Sequence, residues 1–164
     1  MRRFLIGAIA LALLGASGTN REEFLSTLFA NFISESTIQP VTAVANLPPA
    51  VSAALDAYGT FPMVDPGESW NPFCIHDSSN PEPDRRLIIA ALSPNLVGVH
   101  YERGGVSRHS VLELFELSQS GNVVTRCMYS SGLVAESIAE LRSAFPDAFT
   151  FLHCKPSPGT TPAA

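Results

Sequence analysis

The stretch that decides the fold is Arg86 to Tyr129, RLIIAALSPNLVGVHYERGGVSRHSVLELFELSQSGNVVTRCMY. Four runs in it read as strands: Arg86–Leu92, Leu96–Arg103, Arg108–Leu117 and Asn122–Tyr129. β-branched, aromatic and leucine residues crowd these runs, and turn signals separate them. The turns are Ser93-Pro94-Asn95, Gly104-Gly105 and Ser118 to Gly121. Connections this short force antiparallel neighbours, so the predicted core is a meander.

A register follows from the alternation. Pairing Leu92 with Val97 sets Ala90 against Val99 and Ile88 against Tyr101. Pairing Arg103 with Arg108 sets Val99 against Leu112 and Val97 against Leu114. Pairing Leu117 with Asn122 sets Leu112 against Cys127 and Glu113 against Arg126. One face then carries Ile88, Ala90, Leu92, Val97, Val99, Tyr101, Leu112, Leu114 and Cys127. The other carries His100, Glu102, His109, Glu113 and Arg126, as a sheet with one covered side requires. Phe115, Glu116 and Leu117 fit this scheme badly, which points to a bulge there.

Outside the meander, helical spacing recurs three times. Asn20–Ser34 has an Asn20/Glu23 capping box and an apolar stripe of Phe24, Leu25, Leu28, Phe29, Phe32 and Ile33. Pro48-Pro49 opens a short helix with Val51, Leu55 and Tyr58 on one side and Gly59 after it. Ser131–Phe145 carries Val134, Ile138, Leu141 and Phe145 and stops at Pro146. Thr60 to Asp84 is rich in Pro, Gly, Ser and Asn and reads as a long irregular stretch, with a short strand at Phe73–His76. Ala148–His153 reads as a last strand. The expected fold class is α+β: a four- to five-stranded antiparallel meander with helices packed on one face.

The first eighteen residues carry the address. Arg2 and Arg3 precede an uninterrupted apolar run, Phe4 to Ala16, and Ala16 and Gly18 can flank a cleavage site. This is the pattern of a cleaved secretory peptide, too short for a membrane span. The reading is residues 1–18 as signal peptide, 19–155 as one α+β domain, and 156–164 as a disordered tail. The protein is expected in the periplasm or outside the cell, with no stable membrane anchor after cleavage. The formal charge of −5 becomes more negative once Arg2 and Arg3 leave. An acidic chain argues against nucleic acid and against anionic lipid head groups.

Candidate chemistry gathers at one end of the meander. Alternation brings Arg85, Arg86, His100, Glu102, Arg103, Arg108, His109 and Tyr129 together there. His100, Glu102 and His109 are a reasonable ligand set for a divalent metal such as zinc. The plainer reading is a cross-strand Glu–His pair on a wet face, worth tenths to about one kcal/mol. Arg86, Arg103 and Arg108 could take an anion, because guanidinium suits carboxylate or phosphate. The plainer reading is that they answer nearby Asp and Glu in solvent, because an acidic chain repels anions. Trp70, Phe73 and Tyr58 could line a pocket or simply belong to the core.

Of the three cysteines, an exported protein should pair two. Cys127 with Cys154 is the preferred bridge, through a βαβ-like unit with parallel strands, and Cys74 stays open as a partner of either. Cys74-Ile75-His76 also permits a thiol nucleophile, though catalytic Cys and His usually meet through the fold. No motif calls for a cofactor: there is no phosphate-cradling loop, dinucleotide fingerprint or nucleophile elbow. The functional expectation is a non-catalytic exported binding protein whose partner is another exported or envelope protein. The alternative is a small hydrolase or metal-dependent enzyme using the His100–Glu102–His109 end.

Overall fold

The computed structural model describes residues 38–57, 59, 62–73, 82–132, 134–144 and 153–156. The signal segment, the helix expected at 20–34, Cys74, Tyr58 and the tail after Pro156 lie outside the described residues. Six strands form a single sheet in sequence order, every neighbouring pair antiparallel. They are β1 (Gln39–Val41), β2 (Arg85–Leu92), β3 (Leu96–Arg103), β4 (His109–Leu117), β5 (Val123–Ser131) and β6 (His153–Pro156). Among the described residues two short helices accompany them, α1 (Pro49–Asp56) and α2 (Ile138–Ala144), with a 3-10 turn at Val44–Asn46.

The meander is present, and its first hairpin keeps the expected start, Leu92 opposite Val97 and Ala90 opposite Val99. A bulge between Leu87 and Ile89 then sets Leu87, in place of Ile88, against Tyr101. The second hairpin differs by one residue. Arg103 pairs with His109 and not Arg108, so Val99 meets Glu113 and Val97 meets Phe115. A one-residue slip sends every side chain of the strand to the other face. Val111, Glu113, Phe115 and Leu117 therefore join Val97, Val99 and Tyr101, while Leu112 and Leu114 join His100. The irregularity expected near residues 115–117 lies between Glu116 and Leu117 in the β4–β5 pairing.

This register corrects the expectation of one covered face: both are covered. Val51 and Leu55 of α1, with Val41, Leu47 and Met63, pack on Leu87, Val97, Val99, Tyr101, Val111 and Phe115. On the opposite side, Ala135 and Leu141 pack on Ile89, Ala91, Leu96, Leu112, Leu114 and Cys127. Among the described residues the helical share is small and sheet predominates.

Local chemistry explains the helices. Pro49 at the first position needs no amide partner, and Arg85 Nη1 donates to the Leu55 carbonyl at the far end, 2.7 Å away. α2 starts at Ile138, later than expected, because Ser131 still belongs to β5, with the Ser110 hydroxyl donating to its carbonyl. Ser137 caps α2, its hydroxyl accepting from the Glu140 amide at 3.1 Å. β6 runs antiparallel to β5, which corrects the parallel βαβ arrangement. Cys127 is buried and disulfide-bonded, and its backbone stands directly opposite Cys154.

Gly104 is more than a turn residue. The segment before residue 74 lies against it: a side chain at 104 would meet the Asn71 carbonyl oxygen at 2.3 Å and the Pro72 carbonyl carbon at 2.9 Å. Gly104 donates to the Asp84 carbonyl, Gly105 to that of Pro72, and Asn71 to that of Pro83. Both obstacles are backbone, so Gly104→Ala must displace the 70–73 segment, at about 1–3 kcal/mol for an overpacked site. Gly121→Ala is the comparison: its φ of +80° costs strain, but nothing lies within 4 Å. Urea denaturation should show Gly104→Ala the less stable. It should also change Trp70 fluorescence in the native state, which Gly121→Ala leaves alone.

Candidate binding site at the β3–β4 end

Register sets Arg86 of β2 directly opposite Glu102 of β3. Arg86 donates from Nε and Nη2 to Glu102 Oε2, at 3.0 and 2.5 Å. Arg108, in the turn before β4, donates to Oε1 from Nε, at 2.7 Å, and from Nη2. Glu102 is 2% exposed, whereas the Arg108 side chain is 57% exposed. One buried carboxylate thus holds two guanidiniums by their Nε–Nη2 edges, the strong bidentate arrangement. Trp70 stacks on both, with Arg86 Cζ 5.2 Å and Arg108 Cζ 5.8 Å from the ring centre.

The loop docked on Gly104 delivers Trp70 and continues to Phe73, whose backbone bridges to Gly105. Phe73 is 67% exposed and Val106, one residue past that bridge, 99%. A cavity of about 650 Å³ opens beside the Arg–Glu–Arg group, walled by Pro66, Ile88, Val134 and Glu136 among others.

His100 has a different role from the one expected. It is fully buried, its Nδ1–H donates to the Val111 carbonyl at 3.2 Å, and its Nε2 accepts from the Ala135 amide at 3.1 Å. The partners fix the tautomer, since a carbonyl only accepts and an amide N–H only donates. Both nitrogens are committed, and the ring ties the 134–144 segment to the sheet. Burial lowers its pKa to about 4, against smaller opposing effects from the Val111 hydrogen bond and Glu102.

The structure does not bring the proposed metal ligands together. Glu102 lies opposite Ser110, and His109 lies opposite Arg103 on the other face. His109 engages the Ser107 carbonyl through Nδ1. Among the described residues, no group of three or more His, Cys, Asp or Glu side chains is placed to hold a metal ion. Of the three arginines proposed for an anion, Arg86 and Arg108 converge, and Arg103 belongs to the opposite face.

A second polar group was foreseen as a cross-strand pair, Glu113 with Arg126, but on a wet face. Glu113, expected on a wet face, is 0% exposed under α1. Arg126 donates to it from Nε, 2.5 Å, and Nη2, 2.8 Å, and the Tyr101 hydroxyl donates to Oε1 at 2.5 Å. Burial, reinforced by the neighbouring Glu113 charge, pushes the Tyr101 pKa well above its ordinary value. The signal was an acidic residue inside VLELFEL with an arginine on the next strand; its depth depended on the register.

His100 makes stability depend on pH. The unfolded chain takes up this proton near pH 6.5, while the folded chain resists until about pH 4. Stability therefore falls as pH drops through that window and levels off below it. Between pH 7 and 5 the loss is about 2 kcal/mol. His100→Gln, which keeps a donor and an acceptor but no titration, should lose that much less over the same interval. Urea denaturation at the two pH values checks it; equal losses would contradict the assignment.

Comparison with protein-family models, with curated proteins and with solved structures finds no match for this chain.

Proposed function

We propose that this is a small exported, non-catalytic binding protein. Its partner is another exported or envelope protein, docking on the β3–β4 end through Phe73, Val106 and Arg108. The observation that carries this reading is the pair of large apolar side chains, Phe73 and Val106, exposed next to each other beside an arginine–tryptophan stack. A single exposed apolar residue is ordinary, but aromatic and arginine anchors clustered at one place have the composition of interface hot spots. Charge gives the partner its sign. Two guanidiniums share one carboxylate there, on a chain whose overall charge is −5. An acidic patch on the partner is attracted to this end and repelled by the rest. Export rests on the Met1–Gly18 pattern and fits a bridge at Cys127, since disulfides are rare in reducing compartments. The enzyme alternative draws less support, because both nitrogens of His100 and both oxygens of Glu102 are already engaged.

Immobilised mature protein should capture a stoichiometric acidic partner from an exported-protein fraction. Val106→Glu and Arg108→Glu should each weaken capture about tenfold or more, as interface anchors do. Capture that ignores both substitutions, or turnover of a substrate without any partner, would overturn the reading.

The bridge at Cys127 is proposed to join Cys154. Directly opposed residues of antiparallel strands have Cα atoms about 4.5–5.5 Å apart, inside the range a disulfide spans. A non-reducing peptide map should recover the two in one linked pair; a Cys74-containing link would contradict it.

A further inference from the structure

We infer that the cavity beside Arg86 and Arg108 binds a small organic carboxylate with an apolar body. The inference shares Arg108 with the docking surface but needs neither Phe73 nor Val106, so either reading can fail alone. Three features select the ligand. Each guanidinium spends only its Nε–Nη2 edge on Glu102, so Nη1 of both arginines stays outside that pairing. Glu102 itself is saturated: each oxygen accepts two N–H groups, so this carboxylate offers an incoming molecule no open acceptor. Pro66, Ile88 and Val134 then supply an apolar wall.

The charge balance limits the ligand to one negative charge. Two arginines exceed Glu102 by a single unit, and Glu136 brings the charge of the whole lining to zero, so a second negative charge on the ligand has no cation to offset it. A carboxylate is complementary, whereas a dianionic phosphate would face Glu136 with too little positive charge to offset it. The volume of about 650 Å³ is within the range of small-ligand sites, about 300–1,000 Å³. A molecule of about ten non-hydrogen atoms reaches a Kd near 1 mM at ordinary ligand efficiency.

The probes are 4-methylbenzoate and its neutral isostere 4-methylbenzamide, titrated into the mature protein and followed by amide chemical shifts. The carboxylate should bind saturably, shift resonances of the residues at 86, 108 and 134–136, and bind at least fivefold tighter than the amide. Val134→Glu, an exposed change that leaves the Arg–Glu–Arg group intact, should weaken the carboxylate at least fivefold. Glu136→Gln should tighten it two- to threefold, a gain that damage to the fold would not produce. Equal binding of acid and amide, no saturable shift at tens of millimolar, or weakening by Glu136→Gln would overturn the inference. Saturable carboxylate binding alongside failed protein capture would leave the site and remove the docking reading.

Discussion

A sheet covered on both faces cannot hold an ionised carboxylate without bringing its counter-charge inside. That constraint governs this protein. Glu113 is completely buried beneath α1, and Glu102 nearly so on the opposite face. Each draws arginine from a neighbouring strand or turn. Burying such a pair adds little net stability, because desolvation offsets most of the attraction. Breaking it is a different matter: an orphaned buried charge costs about 3–5 kcal/mol, against a typical total stability of about 5–15 kcal/mol. The arginines are therefore conditions of the fold more than contributions to it.

The same side chains also fasten the covering elements. Arg126, while neutralising Glu113, donates from Nη1 to the Ala54 carbonyl at 3.3 Å, and Arg85 donates to that of Leu55. Two sheet arginines thus meet the last turn of an eight-residue helix, where exposed carbonyls and the helix dipole favour positive charge. A helix that short is marginal alone. Across the sheet, the neutral His100 ring does the corresponding work by accepting the Ala135 amide. Each cover is apolar over its area and held by polar contacts at one end, two arginines for α1 and the His100 ring for the 134–144 segment, which fixes where it lies.

Strand identity was legible because turn chemistry and β-rich composition agreed at every boundary of the meander. The one-residue register of β3 against β4 was not. β4 presents Val111, Phe115 and Leu117 on one side and Leu112 and Leu114 on the other, with a glutamate on each, Glu113 and Glu116. Alternation cannot choose between two faces that are equally apolar. The choice of register moved Glu113 from a wet face to the interior and separated His109 from Glu102. The site was half legible: Arg86, Glu102 and Arg108 stood out as charges at one end, and their convergence followed from antiparallel pairing. Trp70 did not, because its position depends on an irregular loop reaching Gly104, a contact that leaves no period in the sequence.

That loop contact explains why binding chemistry concentrates where it does. Several polar groups inside the sheet satisfy one another: Tyr101, Glu113 and Arg126 close together, and Glu116 accepts from Thr125. A saturated network has nothing left to offer a ligand. At the β3–β4 end the missing side chain of Gly104 lets the 70–73 segment lie against the turn, so Trp70 covers the guanidiniums while Phe73 and Val106 are left in solvent. Arg108 pairs with a buried carboxylate by one edge and keeps its other edge exposed. Glu102 therefore acts as an internal anchor that holds a cation at the surface without consuming it. Solvent-exposed charge on a flexible side chain is weak in recognition because it must be ordered first; charge already ordered from within is not subject to that cost.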